Sequence, residues 1–409
     1  MGLSACLALH ARHRHGADRG HDPRDARARP GGSGRGVSAC LIRCCLIRFR
    51  LICPGAVCRW LLVFFCLFAP LPGMADRLRV ATWHADLSRD GPGLLLRDLL
   101  SGQDAQSLAA VAVLQRLDAD ILLLTDLDYD HGLLALTALA DLLQAAGLSY
   151  PHRLALAPNR GVQTGLDLDG DGRIGGARDA QGFGRFAGQG GMALLSRLPL
   201  GPVQDFSGFL WRDLPGSLLP AGPGGGIQRL SSTGHWAVPV ILPGGGELTL
   251  LAWHATPPVF DGPIRRNAAR NHDETIFWQH LIEGRLPFAP PDPPFVLLGD
   301  ANLDAADGDG MRQAISTLLS HPALQDPAPR APAAAWRGRP PDPAHKGDPA
   351  LDTALYDRIG GLRVDYILPS AGLNLQAAGV LWPPHGSEEA AIFARASRHY
   401  PVWVDILLP

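Results

Sequence analysis

The stretch that decides the fold is Phe295-Val296-Leu297-Leu298-Gly299-Asp300-Ala301-Asn302, in which four apolar residues precede a glycine, an aspartate and an asparagine. A short apolar run of this kind, bounded by turn-forming residues, is typical of a buried strand. Polar groups that directly follow such a strand lie at the sheet edge where α/β proteins bind their ligands. Asp300 and Asn302 are therefore the first candidates for a functional site.

Similar apolar runs recur along the chain, with helical stretches between them. The predicted strands are 78–83, 121–124, 192–195, 236–242, 248–255, 295–298, 364–368 and 402–408. Residues 106–117 and 133–146 have the spacing of amphipathic helices. The glycine-rich segment 243–246 predicts a hairpin, and hence sheets that mix parallel and antiparallel pairs. Residues 158–190 and 321–361 are predicted to be long loops.

The first 75 residues differ from the rest of the 409-residue chain. Residues 1–58 form an extension rich in Arg, His, Gly and Pro, which a misplaced start codon would explain. Residues 59–75 contain a basic residue, a short apolar core, two prolines and a small residue at Ala75, which is the pattern of a signal peptide. We expect cleavage after Ala75, a secreted or periplasmic protein, and no stable membrane span; a retained anchor is the alternative. Residues 76–409 then form one domain.

Charge and cysteine content narrow the function of that domain. Residues 1–75 contain 11 arginines and three aspartates, so the domain carries a formal charge of −10 when the whole chain carries −2. An acidic surface repels phosphate backbones, so broad non-specific nucleic-acid binding is not expected. All seven cysteines precede residue 67, which excludes disulfides and thiolate metal sites within the domain.

Polar residues follow, or are embedded in, most of the predicted strands. The set combines carboxylates, an amide and imidazoles: Asp126, His254, Asp300, Asn302, Asp365 and His399. Hard oxygen donors with imidazoles and no thiolate suit Mg²⁺ or Mn²⁺ acting on a phosphate ester. The pattern predicts metal-assisted phosphoester hydrolysis, in which a carboxylate orients water and histidines donate to phosphate or leaving-group oxygens.

The order of these motifs, from Arg79-Val80-Ala81-Thr82-Trp83-His84 to Ser397-Arg398-His399, resembles the endonuclease/exonuclease/phosphatase superfamily over essentially 78–409. The intervening motifs are Leu122-Leu123-Leu124-Thr125-Asp126, Trp253-His254, Gly299-Asp300-Ala301-Asn302 and Arg363-Val364-Asp365-Tyr366. The resemblance implies a four-layer α/β/β/α sandwich of two mixed sheets flanked by helices. Segments 128–130, 182–192, 256–262 and 266–274 resemble a secreted bacterial branch of that superfamily.

The resemblance also implies a role for each matching residue. Asp300 would position or deprotonate water, and Asn302 would hold phosphate or metal. Asp126 stands where the family has a metal-binding Glu, and His254 would donate towards the scissile phosphate. Asp365 would orient the imidazole of His399.

Two positions depart from the family pattern. His84 replaces an Asn at the end of the first motif, and its place there assigns it to the metal site; a packed, hydrogen-bonded histidine is the alternative. Arg398 replaces the Asp of the last motif, which removes an acid and adds a candidate phosphate-binding guanidinium. Asp126 is also one methylene shorter than Glu.

Two further segments have candidate roles. Asp167, Asp169 and Asp171 have the alternate spacing of a calcium loop, although Arg178 occupies the position of its final acid; an exposed acidic turn is the alternative. Arg266, Arg270 and Glu274 recur every four residues on a predicted helix. Either they form a solvated salt-bridge face, or the two arginines line a phosphate entrance.

The sequence therefore predicts an exported, Mg²⁺- or Mn²⁺-dependent hydrolase of small or lipid-type phosphoesters. A nuclease acting on extracellular DNA is one alternative, against which stand the acidic domain and its single lysine, Lys346. The other alternative is a catalytically weakened module that binds a phosphorylated ligand, which the departures at His84 and Arg398 would accompany.

Overall fold

The computed structural model describes residues 77–260, 264–337 and 342–408. The strands are β1 (Arg77–Leu87), β2 (Ile121–Leu127), β3 (His152–Leu154), β4 (Gly191–Ser196), β5 (Gln204–Asp205), β6 (Gly234–Ile241), β7 (Glu247–His254), β8 (Phe295–Asp300), β9 (Ala354–Tyr356), β10 (Gly360–Leu362), β11 (Asp365–Pro369), β12 (Asn374–Val380) and β13 (Val402–Leu407). The α-helices are α1 (Leu94–Ser101), α2 (Ala105–Leu117), α3 (Leu134–Ala145), α4 (Arg266–Ile282), α5 (Gln313–Leu319), α6 (Ala333–Trp336) and α7 (Glu388–Ala396). The predicted N-terminal extension, 1–58, and signal peptide, 59–75, lie outside the described residues.

Two large sheets form the centre of the fold. The first has the order β12-β13-β1-β2-β4-β3 and the second the order β11-β8-β7-β6-β5. Each sheet contains one parallel pair, β1 with β2 and β7 with β8, while the remaining pairs are antiparallel. Both sheets are therefore mixed, as the sequence predicted. The two parallel pairs decide the site, because their carboxyl ends gather side chains from four strands.

Three apolar clusters stack the elements into layers. The inner cluster joins β1, β2 and β4 of the first sheet to β6, β7 and β8 of the second, with Val80, Leu123, Leu250 and Val296 all fully buried. A second cluster packs α1, α2, α3 and α7 on the outer face of the first sheet. A third packs α4 and α5 on the outer face of the second sheet. The result is the predicted four-layer α/β/β/α sandwich.

All eight predicted strands are present, and both predicted helices form as α2 and α3. The hairpin at 243–246 joins β6 to β7, whose ends pair at Ile241 and Glu247. The predicted loop 321–361 contains two short elements, α6 and β9, and the first residues of β10. Within the described ranges, no helix has the length and apolar character needed to cross a bilayer.

Candidate active site

Strand pairing gathers the polar residues at one edge of the two sheets. His254 at the end of β7 lies beside Asp300 at the end of β8 in the parallel register, and Asp365 at the start of β11 lies opposite Asp300. His84 lies near the end of β1, beside Thr125 of β2, and Asp126 follows that threonine. These pairings bring together residues separated by up to 281 positions in the sequence, as the strand-end argument predicted.

A buried carboxylate–imidazole pair lies at the bottom of the site. Asp365 Oδ2 lies 2.8 Å from Nδ1 of His399, and Thr353 donates its hydroxyl to the same oxygen at 2.8 Å. Burial raises the pKa of Asp365 even though His399 acts to lower it. The pair fixes the ring of His399, so that Nε2 points to the hydroxyl of Tyr356 at 3.2 Å. The contact between Asp365 and His399 is the one that the implied orienting role requires, and the role itself stays a prediction.

Asp300 lies at the centre of the cluster and is fully buried. Its Oδ2 accepts from the Asn302 amide at 2.9 Å and lies 2.8 Å from His84 Nδ1. Nε2 of His254 lies 3.5 Å from the same oxygen. Burial acts to raise the pKa of Asp300, but the hydrogen bond from His84 and the surrounding imidazoles bring it below its usual value. Burial lowers the pKa of His254 to about 3, so this imidazole is neutral at neutral pH.

His84 joins this buried group to a second pair of carboxylates. Its Nε2 lies 3.3 Å from Asp86 Oδ1 and 3.7 Å from Asp126 Oδ2. Its ring stacks on His399 with the centroids 4.2 Å apart. Burial opposes a charge on His84, yet hydrogen bonds with Asp126, Asp300 and Asp86 raise its pKa well above the usual value. The histidine that replaces the family's Asn is thus a member of the site.

Besides Thr353 and Tyr356, Asp86 and Arg160 belong to the site and were not predicted from the sequence. Asp86 has a left-handed backbone, with φ of 52°, and its Oδ2 accepts from the Ser397 hydroxyl at 2.9 Å and from the Arg398 amide at 3.1 Å. Arg160 donates from Nη1 to Asp126 Oδ1 at 2.8 Å. The spacing of Asp86 two residues after His84 was the one signal available for it, whereas Arg160 lies in a predicted loop.

An open cavity of ≈520 Å³ adjoins the cluster. Its lining includes Asp86 and Asp126 from the cluster, together with Tyr356, Arg395 and Arg398. The Arg398 side chain is 59% exposed and lies over the Tyr356 ring, 5.9 Å from its centroid. Arg398 therefore borders the cavity, and its Nε lies 3.6 Å from Oδ2 of Asp86, so the guanidinium is exposed but paired with a carboxylate of the cluster.

The donor set fits a divalent cation of the kind that the family implies. His84, Asp86 and Asp126 each present one ligand atom, and these atoms all lie within 4.8 Å of one another. Atoms that share a cation at about 2.1 Å lie about 3.0 to 3.4 Å apart at bond angles of about 90° to 110°. The separations of 3.3 and 3.7 Å from His84 Nε2 are close to that range. The predicted metal residues, His84 and Asp126, thus belong to one candidate ligand group.

The assignment of Arg266 and Arg270 to phosphate binding is wrong. Arg270 is 6% exposed, and its guanidinium donates to the backbone carbonyls of residues 229–231. Arg266 donates to Gln228 and lies over the Trp211 ring. The solvated salt-bridge face is also wrong, because Arg270 and Glu274 are buried. The helical repeat identified one face correctly, but that face packs against the protein.

Helix α4 instead holds the ends of β7 and β8 in place. Glu274 accepts from the backbone amides of Ser232 and Thr256, and Asn271 donates to the carbonyls of Thr256 and Ala301 at 2.8 Å. Ala301 directly follows Asp300 at the end of β8, and Thr256 lies two residues after His254 at the end of β7. The helix therefore supports the site without contributing a ligand.

The acidic residues that lie close together in the candidate calcium loop are not the three that were predicted. Asp167 and Asp169 group with Asp179, whereas Asp171 accepts a hydrogen bond from the Arg173 amide. Asp179 is 2% exposed and accepts from the backbone amides of Leu168 and Gly176. These bonds shape the loop, and calcium binding there stays a prediction.

Residues 99–399 match the model of the endonuclease/exonuclease/phosphatase family, and the chain belongs to this family. Its members are hydrolases that include phosphatases and exonucleases.

Solved structures of similar fold include an endonuclease/exonuclease/phosphatase from Beutenbergia cavernae, with 22% identity and a TM-score of 0.48 over 81% of this chain and 72% of that one. A mannosyl-6-phosphatase from Bacteroides thetaiotaomicron has 17% identity and a TM-score of 0.45, over 81% of this chain and 100% of that one. A 3'-5' exonuclease from Neisseria meningitidis has 18% identity and a TM-score of 0.43, with the same coverage. No curated protein matches the chain.

Proposed function

We propose that the protein is a divalent-metal-dependent phosphoester hydrolase that acts on small or lipid-type phosphoesters. One observation carries the proposal: six polar residues from distant motifs lie in one connected cluster beside a cavity. Contacts of 2.8 to 3.7 Å link them, apart from the ring stacking of His84 on His399. The members are His84, Asp126, His254, Asp300, Asp365 and His399.

The residues of the cluster have different proposed roles in the reaction. His84, Asp86 and Asp126 would hold a divalent cation, which would stabilise the charge that develops on a phosphoryl oxygen. Asp300, held in the ionised form, orients or deprotonates the attacking water. Asn302 donates both of its amide hydrogens within the protein, to Asp300 Oδ2 and to the Ala255 carbonyl, so it positions Asp300 and its Oδ1 is the atom left to face a metal.

The histidines complete the proposed mechanism. His254 is neutral and donates an N–H towards the phosphate without adding charge. His399, oriented by Asp365, moves a proton at the leaving-group oxygen through Nε2. Arg398 binds a peripheral phosphate oxygen from the rim of the cavity.

The charge around the cavity favours a small substrate over a nucleic acid. Asp357 lines the same cavity as Arg395 and Arg398, so the wall is mixed in sign and not a basic track. The net charge of −10 on residues 76–409 opposes long-range attraction of a polyanion. A phosphate with a polar or lipid substituent requires neither a long groove nor a basic surface.

The test measures hydrolysis of bis-p-nitrophenyl phosphate and p-nitrophenyl phosphate by purified protein with Mg²⁺, Mn²⁺ or chelator. Asp300→Asn is expected to lower kcat by about 100-fold or more, because it removes the central carboxylate. Asp213→Asn, at an exposed site, is the matched control and should leave kcat unchanged. Absence of turnover with every metal would favour a phosphate-binding module, and Asp300-dependent nicking of plasmid DNA would favour a nuclease.

We also propose that the protein is exported, in the manner of the secreted bacterial branch that its flanking segments resemble. The support is the signal-peptide pattern of residues 59–75. Mass spectrometry of the protein from the periplasm or culture fluid should find a new N-terminus at Asp76. Full-length protein retained in the cytoplasm would contradict this proposal.

A further inference from the structure

His84 stands between three carboxylates and contacts them through its two ring nitrogens. Nδ1 lies 2.8 Å from Oδ2 of the buried Asp300, whereas Nε2 faces Asp86 Oδ1 and Asp126 Oδ2. An ionised carboxylate accepts hydrogen bonds but cannot donate them, so Nδ1 carries a proton and donates it to Asp300. Nε2 is the ring nitrogen that faces Asp86 and Asp126, and it is the atom that a cation held by these two carboxylates would meet.

This arrangement is the one that proteins use to orient a metal-bound histidine. A ligating imidazole generally donates its other N–H to a carboxylate or carbonyl, which fixes the tautomer and the ring plane. Asp300 occupies that supporting position, and stacking on His399 further restricts the ring of His84. A histidine that served only to fill the space left by the family's Asn would not need this support.

In both Asp86 and Asp126, one carboxylate oxygen is hydrogen-bonded to other protein groups and the second oxygen faces His84. Asp86 Oδ2 is held by Ser397 and the Arg398 amide, and Asp86 presents Oδ1 towards His84. Asp126 Oδ1 is held by Arg160, and Asp126 presents Oδ2. His84 and Asp86 of β1 and Asp126 of β2 are thus each held by other protein groups, and one ligand atom of each lies within 4.8 Å of the others.

The chemistry of this donor set differs from that of an all-oxygen magnesium site. Mg²⁺ prefers oxygen donors and keeps much of its water, whereas imidazole suits first-row transition ions. Affinity for nitrogen-containing sites rises from Mn²⁺ towards the later divalent metals. Replacement of the family's Asn by His84 exchanges an amide oxygen for an imidazole nitrogen at this position.

We propose that His84 binds the metal of this site through Nε2, with Asp86 and Asp126, and that the site selects a first-row transition dication over Mg²⁺. The proposal concerns the metal of the site described under the proposed function, but it does not need the hydrolytic reaction to be correct. Arg398 stands where the family has an Asp in its last motif. We infer that Asp86 supplies the missing carboxylate, because its Oδ2 accepts a hydrogen bond from the backbone amide of Arg398.

The experiment uses chelator-treated protein titrated with Mn²⁺, with free Mn²⁺ followed by electron paramagnetic resonance. Electron spin echo envelope modulation of the bound ion then reports whether a nitrogen atom is coordinated. The variants are His84→Asn, which restores the family's residue, His254→Asn for the neighbouring imidazole, and His131→Asn as an exposed control. Circular dichroism checks that each variant is folded.

We expect nitrogen modulation in the wild type, His254→Asn and His131→Asn, and its loss in His84→Asn. The wild type should bind Mn²⁺ at least tenfold more tightly than Mg²⁺, and His84→Asn should reduce that ratio by about tenfold, in line with one lost nitrogen ligand. Asp86→Asn should weaken Mn²⁺ binding without removing the nitrogen modulation.

Any of three results would overturn the proposal: no Mn²⁺ binding by the wild type, bound Mn²⁺ without nitrogen modulation, or modulation that persists in His84→Asn. Phosphoester hydrolysis is measured separately on the same samples. Metal-dependent turnover without a nitrogen ligand would refute this assignment and leave the proposed function standing. A nitrogen ligand without turnover would support this metal assignment and refute the proposed function.

Discussion

Gly190→Ala should reduce metal binding and hydrolysis, although Gly190 has no side chain that could take part in either. Gly190 has φ of 57°, and a Cβ added to it would lie 2.5 Å from Oδ1 of Asp126 and also meet the Arg160 guanidinium. Its amide already donates to Asp128 at 2.9 Å, which limits how far the backbone can retreat. The added methyl group must therefore displace Asp126, Arg160 or both.

The expected magnitude has two parts. A left-handed backbone costs alanine about 1 kcal/mol relative to glycine. Separation of the Asp126–Arg160 ion pair, which is 2.8 Å long and largely shielded from solvent, costs about 1.5 to 3 kcal/mol. The free energy of unfolding should therefore fall by about 2.5 to 4 kcal/mol. A shift of about 1 Å at Asp126 should lower kcat/KM by about 100-fold, as misplacement of that size does in other sites.

Gly245→Ala separates backbone strain from displacement of the carboxylate. Gly245 also has a left-handed backbone, with φ of 88°, but its added Cβ would have nothing within 4 Å. It lies in the hairpin between β6 and β7, so this control should lose about 1 kcal/mol of stability and retain full hydrolysis. Urea unfolding and phosphodiester hydrolysis of both variants provide the measurement. If Gly190→Ala kept metal affinity and kcat/KM within twofold of the wild type, the assigned role of Asp126 would be refuted.

Three further predictions follow from the site and the core. Asp365→Asn should lower kcat by about 100-fold or more with little change in KM, since an amide cannot orient the His399 ring in the same tautomer; equal effects on both constants would indicate a substrate-binding role. Arg398→Ala should raise KM by about tenfold with kcat nearly unchanged, and a selective loss of kcat would contradict its peripheral role. Burial lowers the pKa of His235 to about 4, so the unfolded chain, with a pKa near 6.5, binds a proton first as the pH falls. Stability present above pH 6.5 should thus be lost towards pH 4, and His235→Phe should lose about 2 kcal/mol less than the wild type between pH 7.5 and 5, measured by urea unfolding. Equal losses in both proteins would contradict the assignment.

Much of the fold could be predicted from the sequence because its central strands are apolar runs. The eight strongest runs all form strands, and the order of polar residues after them reflects their convergence at one edge. Strand β12 was missed because its residues are mostly exposed or half-buried and alternate weakly. The central, buried strands were therefore predictable, whereas this edge strand was not.

The site was only partly predictable because some of its contacts depend on distant segments. Asp86 acquires its role from Ser397, 311 positions later, and Arg160 acquires its role from the course of a long loop. Arg270 shows the opposite error. Its helical spacing was read correctly, but spacing does not reveal that the face packs against carbonyls of 229–231.

The central claim is that a metal ion held by Asp126 and its neighbours is required to cleave a phosphoester. The most direct measurement follows release of p-nitrophenol from bis-p-nitrophenyl phosphate by chelator-treated protein, before and after graded addition of Mn²⁺. The account predicts no turnover before addition, saturable recovery in the wild type, and no recovery in Asp126→Asn at the same concentrations. Turnover that survives chelation, or equal recovery in Asp126→Asn, would contradict it.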